Sequence, residues 1–312
     1  MTDTFEVRIK VATWETPDIV SYELRSMDAS PLPPFTAGAH INLHLSNGLV
    51  RSYSLLNEQT ERHRYVIAVQ KDRATRGGSK WIHENFRVGD VIRIGRPQNN
   101  FPLDETAEKS VLIAGGIGIT PIMSMIARLS ALRRDWELIY CARTRSAAAF
   151  VDTLVDNVRL NFDAEPGGQM LDIAAVVAAA PPGAHFYCCG PSPMLSAFQS
   201  ATAHLDPGRV HLEYFTNTTP AAVEGGFKVV LAKSNRELEV LPGKTILDTL
   251  VDAGLDIPYS CMEGVCASCE TKVLEGIPDH RDAVLSDKER AEGKTMMICC
   301  SGSKTERLVL DL

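Results

Sequence analysis

Four cysteines carry the most specific chemistry in this 312-residue chain. Cys261, Cys266, Cys269 and Cys299 are separated by four, two and twenty-nine residues. Thiolates are ligands for soft metals, and the spacing C-x4-C-x2-C…C is that of plant-type [2Fe–2S] proteins. One tight loop can deliver three sulfurs if its residues are small, and CMEGVCASC supplies Gly264, Ala267 and Ser268. The fourth sulfur must come from a distant strand. That strand is expected to end at Cys299–Cys300, and neighbouring strand residues point to opposite faces, so only one of the two reaches the cluster. Spacing leaves the choice open. Structural zinc is the competing use of four thiolates, but its usual C-x2-C pairs are missing. Cys141, Cys188 and Cys189 fall on expected strands and read as small buried hydrophobes.

A second chemistry lies in the glycines. GGIGITP places Gly115, Gly116, Ile117, Gly118, Thr120 and Pro121 directly after the apolar run SVLIA. Glycines between a strand and a helix let the backbone approach a diphosphate, which free N–H groups and the helix dipole attract. Thr120 is expected to cap that helix, with Pro121 in its first position. CGPSPM, from Cys189 through Gly190 and Pro191 to Met194, repeats the arrangement, with Ser192–Pro193 as cap and first residue. Arg143 and Arg145 follow the next apolar strand, where a 2′-phosphate could sit or where both could simply be surface residues. RSYS (Arg51–Ser54) and RGGS (Arg76–Ser79) are, by themselves, an alternating strand and a turn.

The elements that would position these groups fall into three blocks. Residues 1–102 hold six short runs of strand character separated by turn residues, which suggests a small antiparallel barrel. Residues 103–222 alternate apolar strands with helices, as a doubly wound α/β domain does. The segment 216–226 reads as a linker. Residues 223–312 give a hairpin, a helix opening at Thr245 with Asp248 in a capping box and ending at Gly254, a second helix opening at Ser286 with Glu289, and short strands: a small α+β domain.

Composition bounds the function. Net charge is −7, with +2 on the first block, −4 on the second and −5 on the third. That argues against a nucleic-acid binder and makes the last block either simply soluble or a face for a basic partner. The uncharged stretches 110–127 and 173–205 are broken by glycine and proline and read as buried core, so no membrane partner is expected. The N-terminus lacks signal-peptide character, so a cytoplasmic, reducing setting is expected.

Taken in order, RSYSL, RGGS, FPLD, AGGIGITP, YCCGP, the cysteine loop, DHRD and MMICCS…LVLDL resemble the phthalate dioxygenase reductase family, which includes the vanillate demethylase reductases. The likeness spans essentially the whole chain. It implies an FMN barrel, an NADH domain and a ferredoxin-like β-grasp [2Fe–2S] domain. It also implies a monomer that passes electrons to a Rieske-type oxygenase. Carried onto this sequence, it puts Arg51, Tyr53 and Ser54 at the flavin, with Ser54 near the reactive ring edge and Phe215 covering the ring. It puts Gly77, Gly78 and Ser79 at the FMN phosphate, and makes Ala68 and Gln70 further candidates beside it. Gly115 to Pro121, Arg143 and Cys189 to Pro191 would hold the dinucleotide, and Cys299 would be the fourth ligand. Cys300 stands where the family suggests an aliphatic residue. The alternatives are a general flavin reductase for ferric, haem or other acceptors, and a carrier without flavin. His83 and His280 receive no role.

Overall fold

Residues 4–71, 77–154, 157–217, 219–259 and 261–312 are described by a computed structural model of the chain. The chain divides into two units, one ending at Phe215 and one running from Thr216 to Leu312.

The first unit opens with β1 (Thr4–Thr16), β2 (Ile19–Ser26), β3 (His40–His44), β4 (Val50–Ser54) and β5 (Tyr65–Gln70), then α1 (Gly78–Asn85) and β6 (Val91–Gly95). These strands form one antiparallel sheet in the order β4-β3-β6-β1-β2-β5. Its outer strands draw together where the Leu56 N–H donates to the Val66 carbonyl at 3.0 Å. Alternation does the work: Ile41 and Leu43, then Tyr65, Ile67 and Val69, point into one core with Val7, Ile9 and Leu24. A one-residue slip would turn each set out to solvent. Arg76, the first residue of the RGGS motif, lies outside the described residues. The rest of that motif begins α1 rather than a plain turn: Gly77 is its N-cap, at φ 96°.

The α/β part follows: β7 (Lys109–Gly115), α2 (Ile119–Ala131), β8 (Asp135–Ala142), β9 (Val158–Phe162), α3 (Ile173–Ala179), β10 (His185–Cys189), α4 (Ser192–Thr202) and β11 (Val210–Glu213). The five strands are parallel in the order β11-β10-β7-β8-β9, so the winding reverses between β7 and β10. Alternate residues face opposite layers. Leu112, Ala114, Leu138, Tyr140 and Tyr187 meet Ile119, Ile122, Met125 and Leu129 of α2. Val111, Ile113, Ile139, Phe186 and Cys188 meet Ile173 and Val177 of α3 and Leu195 and Phe198 of α4. The uncharged stretch from 173 is therefore helix, strand and helix. Among the described residues no helix is long and apolar enough to cross a membrane.

The second unit contains β12 (Phe227–Leu231), β13 (Arg236–Val240), α5 (Ile246–Asp252), β14 (Glu270–Glu275), β15 (Pro278–Asp279), α6 (Asp287–Glu292), β16 (Thr295–Met297), β17 (Gly302–Ser303) and β18 (Arg307–Leu310). Its main sheet runs β13-β12-β18-β14-β16, with β18 parallel to β12, and α5 packs Ile246, Leu247 and Leu250 onto it. This is the expected β-grasp architecture. Both expected capping boxes form, Thr245 with Asp248 and Ser286 with Glu289. Part of the segment expected to be a linker is docked here: Ala222 is buried and donates its N–H to the Cys300 carbonyl at 2.8 Å.

Candidate functional site

The cysteine loop is curled by three residues in the left-handed region, Met262, Gly264 and Ala267. Only glycine fits at 264, because a Cβ there would lie 2.4 Å from Cys300 Sγ and 2.9 Å from Asp282 Cα. β14 and β16 pair with Glu270 opposite Met297, so Cys269 and Cys299 leave neighbouring strand ends. All four expected ligand sulfurs belong to buried residues. The Cys261 thiol lies within interaction range of those of Cys266 and Cys299, and the Cys299 thiol within range of that of Cys269. The Glu263 and Val265 N–H groups point at Cys261 Sγ from 3.3 and 3.4 Å. The Cys266 and Cys299 thiols, helped by backbone N–H groups, hold Cys261 well below the ordinary thiol range despite its burial. The same sharing, together with burial, pushes Cys266 and Cys299 up. Four converging sulfurs with backbone N–H donors aimed at two of them, Cys261 and Cys266, suit a ligand set that must be deprotonated.

One expectation about this loop needs correction. β16 ends at Met297, and Cys299 and Cys300 lie in the turn beyond it, so strand alternation does not separate them. Both are buried free thiols. The DHRD motif braces the loop. The Asp282 carboxylate, fully buried, accepts from the N–H groups of Val284 and Leu285 at 3.1 and 2.8 Å, and the Ala283 N–H donates to the Gly264 carbonyl at 2.9 Å.

At the sheet's winding reversal two glycine junctions press together. A Cβ on Gly118 would lie 2.2 Å from the Cys189 carbonyl oxygen. One on Gly115 would lie 2.7 Å from Pro191 Cδ, and one on Gly190 would lie 3.1 Å from Gly115 Cα. The two junctions meet at the carboxyl edge beside the winding reversal, where the crevice of this fold binds ligands. The helix starts differ from expectation. A 3-10 turn over Gly116–Gly118 runs straight into α2, so Gly118 is the N-cap and Thr120 lies inside the first turn, its hydroxyl donating to the Ile117 carbonyl at 3.0 Å. At α4 the N-cap is Pro191 and Ser192 is already helical. Neither start has a side-chain cap. Such a cleft, with uncapped helix starts and no Cβ in the way, fits a dinucleotide's phosphates.

On the barrel, Arg51, Tyr53 and Ser54 share β4. The Arg51 side chain lies across Gly78, where a Cβ would meet its Nε at 2.5 Å. A guanidinium against the start of α1 suits an anionic group such as the FMN phosphate, with Gly77, Gly78 and Ser79 forming that start. Burial raises the Tyr53 phenol, and Ser54 is buried. Ala68 is buried with Ile19 and Leu56 against Ala149, Ile117 and Phe150 of the α/β part, whereas Gln70 is exposed. Arg143 is exposed, and Arg145 is tied to Asp152 at 3.0 Å and, through its N–H, to Glu165 at 2.6 Å. Phe215 packs on the core that contains Cys189.

Glu213 escaped the sequence reading. It stands opposite Cys189 at the end of β11. Part of the residue reaches solvent, but Oε2 is enclosed without a hydrogen-bond partner among the described residues, and burial pushes its carboxyl up to about 8. Burial, with Glu213 adding to it, raises the Cys189 thiol. The only signal available was a charged residue ending a short apolar run.

Residues 229–303 match the family of 2Fe-2S iron-sulfur cluster binding domains. The chain is 55% identical to phenoxybenzoate dioxygenase subunit beta of Ectopseudomonas oleovorans, over 98% of this chain and 97% of that protein. It is 51% identical to tetrachlorobenzoquinone reductase of Sphingobium chlorophenolicum, over 99% and 98%. The solved structure of phthalate dioxygenase reductase, described as modular for electron transfer from pyridine nucleotides to [2Fe–2S], aligns with a TM-score of 0.77 at 39% identity, covering 99% of this chain and 98% of that one. With the barrel, the wound sheet and the four-thiol loop present in that order, the chain belongs to the phthalate dioxygenase reductase family.

Proposed function

We propose that this protein is the reductase component of an oxygenase or demethylase system that acts on aromatic compounds, taking electrons from NADH and delivering them to a Rieske-type oxygenase. The observation that carries this reading is the end-to-end likeness to oxygenase reductases in a chain that keeps all four thiols. We assign FMN to residues 1–102, the nicotinamide nucleotide to 103–222 and the [2Fe–2S] cluster to 223–312.

Arg51 and the start of α1 would hold the flavin phosphate, and Tyr53 and Ser54 would line the ring, with Phe215 as its cover. Gly115 to Gly118 and Gly190–Pro191 would admit the dinucleotide phosphates to backbone N–H groups. Cys261, Cys266, Cys269 and Cys299 would hold the cluster. When bound, the flavin converts the hydride pair of NADH into single electrons for a one-electron centre. The chain's own part is placement and exclusion of water, and it needs no side-chain acid or base for hydride transfer. The acidic last unit would steer it to a basic face of its acceptor.

The test is spectroscopic and kinetic. Purified protein should show flavin and iron–sulfur absorbance, and should reduce cytochrome c with NADH. Cys266→Ser should abolish the iron–sulfur bands and cytochrome reduction while leaving bound flavin in place. An unchanged spectrum would falsify the cluster assignment. The quinone reductase relative favours a second reading, in which the acceptor is a small quinone. Comparing kcat/KM for a quinone with that for a purified Rieske oxygenase separates the two.

A further inference from the structure

The turn that follows β16 holds a thiol that the four-ligand set does not use. The N–H groups of Cys300 and Ser301 both donate to the Met297 carbonyl, at 3.2 and 2.9 Å, so the chain doubles back tightly. This places Cys299 and Cys300 side by side as free thiols, 3% and 2% exposed. Cys300 Sγ also lies directly over Gly264, the glycine midway between Cys261 and Cys266. Five sulfurs therefore share one enclosed space.

We propose that Cys300 is a reserve iron ligand, able to take the place of Cys299. The inference rests on our reading of Cys299 as the resident fourth ligand. Little holds the Cys300 thiol where it is. Among the described residues its hydrogen-bonding contacts are the Met297 carbonyl at 3.7 Å and the Ser301 hydroxyl at 3.9 Å. A change of χ1 moves a cysteine sulfur by a few ångströms without moving the backbone. In a chain lacking the Cys299 sulfur, Cys300 gives up its thiol proton to solvent and forms the iron–sulfur bond that Cys299 otherwise forms. No electron moves in that exchange. The competing role is plain packing, since Cys300 also belongs to the apolar core of this unit.

Three full-length variants decide the matter: Cys299→Ala, Cys300→Ala and the double variant. Alanine is used because a serine oxygen could itself bind iron. The readouts are iron and acid-labile sulfide per chain and the electron paramagnetic resonance spectrum of the reduced protein. Bound flavin and far-ultraviolet circular dichroism report that each chain is folded. Cys300→Ala should match the parent. Cys299→Ala should keep its iron and sulfide but show a shifted resonance, and the double variant should lose the cluster. The proposal fails if folded Cys299→Ala carries no cluster while Cys300→Ala does, and the reading of Cys299 as resident ligand then stands. It also fails if the double variant keeps the same cluster as Cys299→Ala, because some other group is then the substitute. If Cys299→Ala matches the parent and Cys300→Ala does not, the resident ligand is Cys300 and the underlying reading is overturned.

Discussion

Two groups of helices in this molecule begin in opposite ways. α3, α5 and α6 start under a side-chain cap, from Asp172, Thr245 and Ser286. α1, α2 and α4 start on Gly77, Gly118 and Pro191 with no side-chain cap. A side-chain oxygen at the N-cap satisfies an orphan N–H and stabilises a helix by about 1 kcal/mol. The uncapped group forgoes that at the three places where an anion is expected: the flavin phosphate and the two sides of the dinucleotide cleft. A cap at such a start would fill the site with the protein's own oxygen. The three starts with a side-chain cap lie away from the proposed ligand sites, and the three proposed to receive a ligand begin on glycine or proline.

The sharpest way to break this contrast is Gly118→Ala. The added methyl collides with a backbone carbonyl, which cannot swing aside, so overpacking of about 3 kcal/mol is expected. It should appear both as lower stability and as a weaker NADH complex in a binding titration. Undiminished affinity would mean the cleft is not the dinucleotide site. Arg51→Ala comes next. Loss of a charge-assisted contact, about 2 kcal/mol, should lower FMN retention on gel filtration more than tenfold. Full retention would move the flavin phosphate elsewhere.

Glu213→Gln probes the strand end beside the cleft. The Glu213 carboxyl is raised in the folded protein to about 8. The stability it contributes is therefore complete below its unfolded value near 4.5 and is lost as the pH rises through about 8. The glutamine variant escapes this loss, on the order of 2 kcal/mol once the solvent-reached part of the side chain is discounted. Its Tm should match the parent at pH 5 and exceed it at pH 9, and parallel curves would reject the buried-acid assignment. The smallest effect belongs to the capped group. Thr245→Ala should cost about 1 kcal/mol in urea unfolding of the second unit and leave NADH and flavin affinity untouched. A change in either affinity would erase the distinction between the two groups of helices.

How much was legible varied with the kind of constraint. The cysteine loop could be read because ligand spacing is written along the chain: nine residues carry three sulfurs and no tertiary contact alters their order. Barrel strands such as Tyr65–Gln70 could be read because period-two alternation survives in any antiparallel setting. The starts of α5 and α6 could be read from their capping boxes, but those of α2 and α4 could not be read to the residue. Thr120 and Ser192 look like caps locally, but a 3-10 turn and a close neighbouring strand moved both boundaries upstream. Glu213 was invisible as a special residue, and Asp282 stood out only as part of DHRD with no role attached, because a carboxylate is unusual only when its surroundings exclude water, and burial is a property of the assembled core.

By itself, then, the sequence determined three blocks of structure, four thiols spaced for an iron–sulfur cluster and glycines spaced for phosphates, because each is a local pattern along the backbone. Tertiary structure alone decided that Gly118 and Gly190 wall one cleft, that Arg51 lies over Gly78, and that Cys299 and Cys300 share a turn instead of opposing strand faces. The first two are meetings between segments far apart in the chain, and the third follows from where β16 stops within its sheet; the packing that decides all three follows from which surfaces must leave water together, which no single segment specifies.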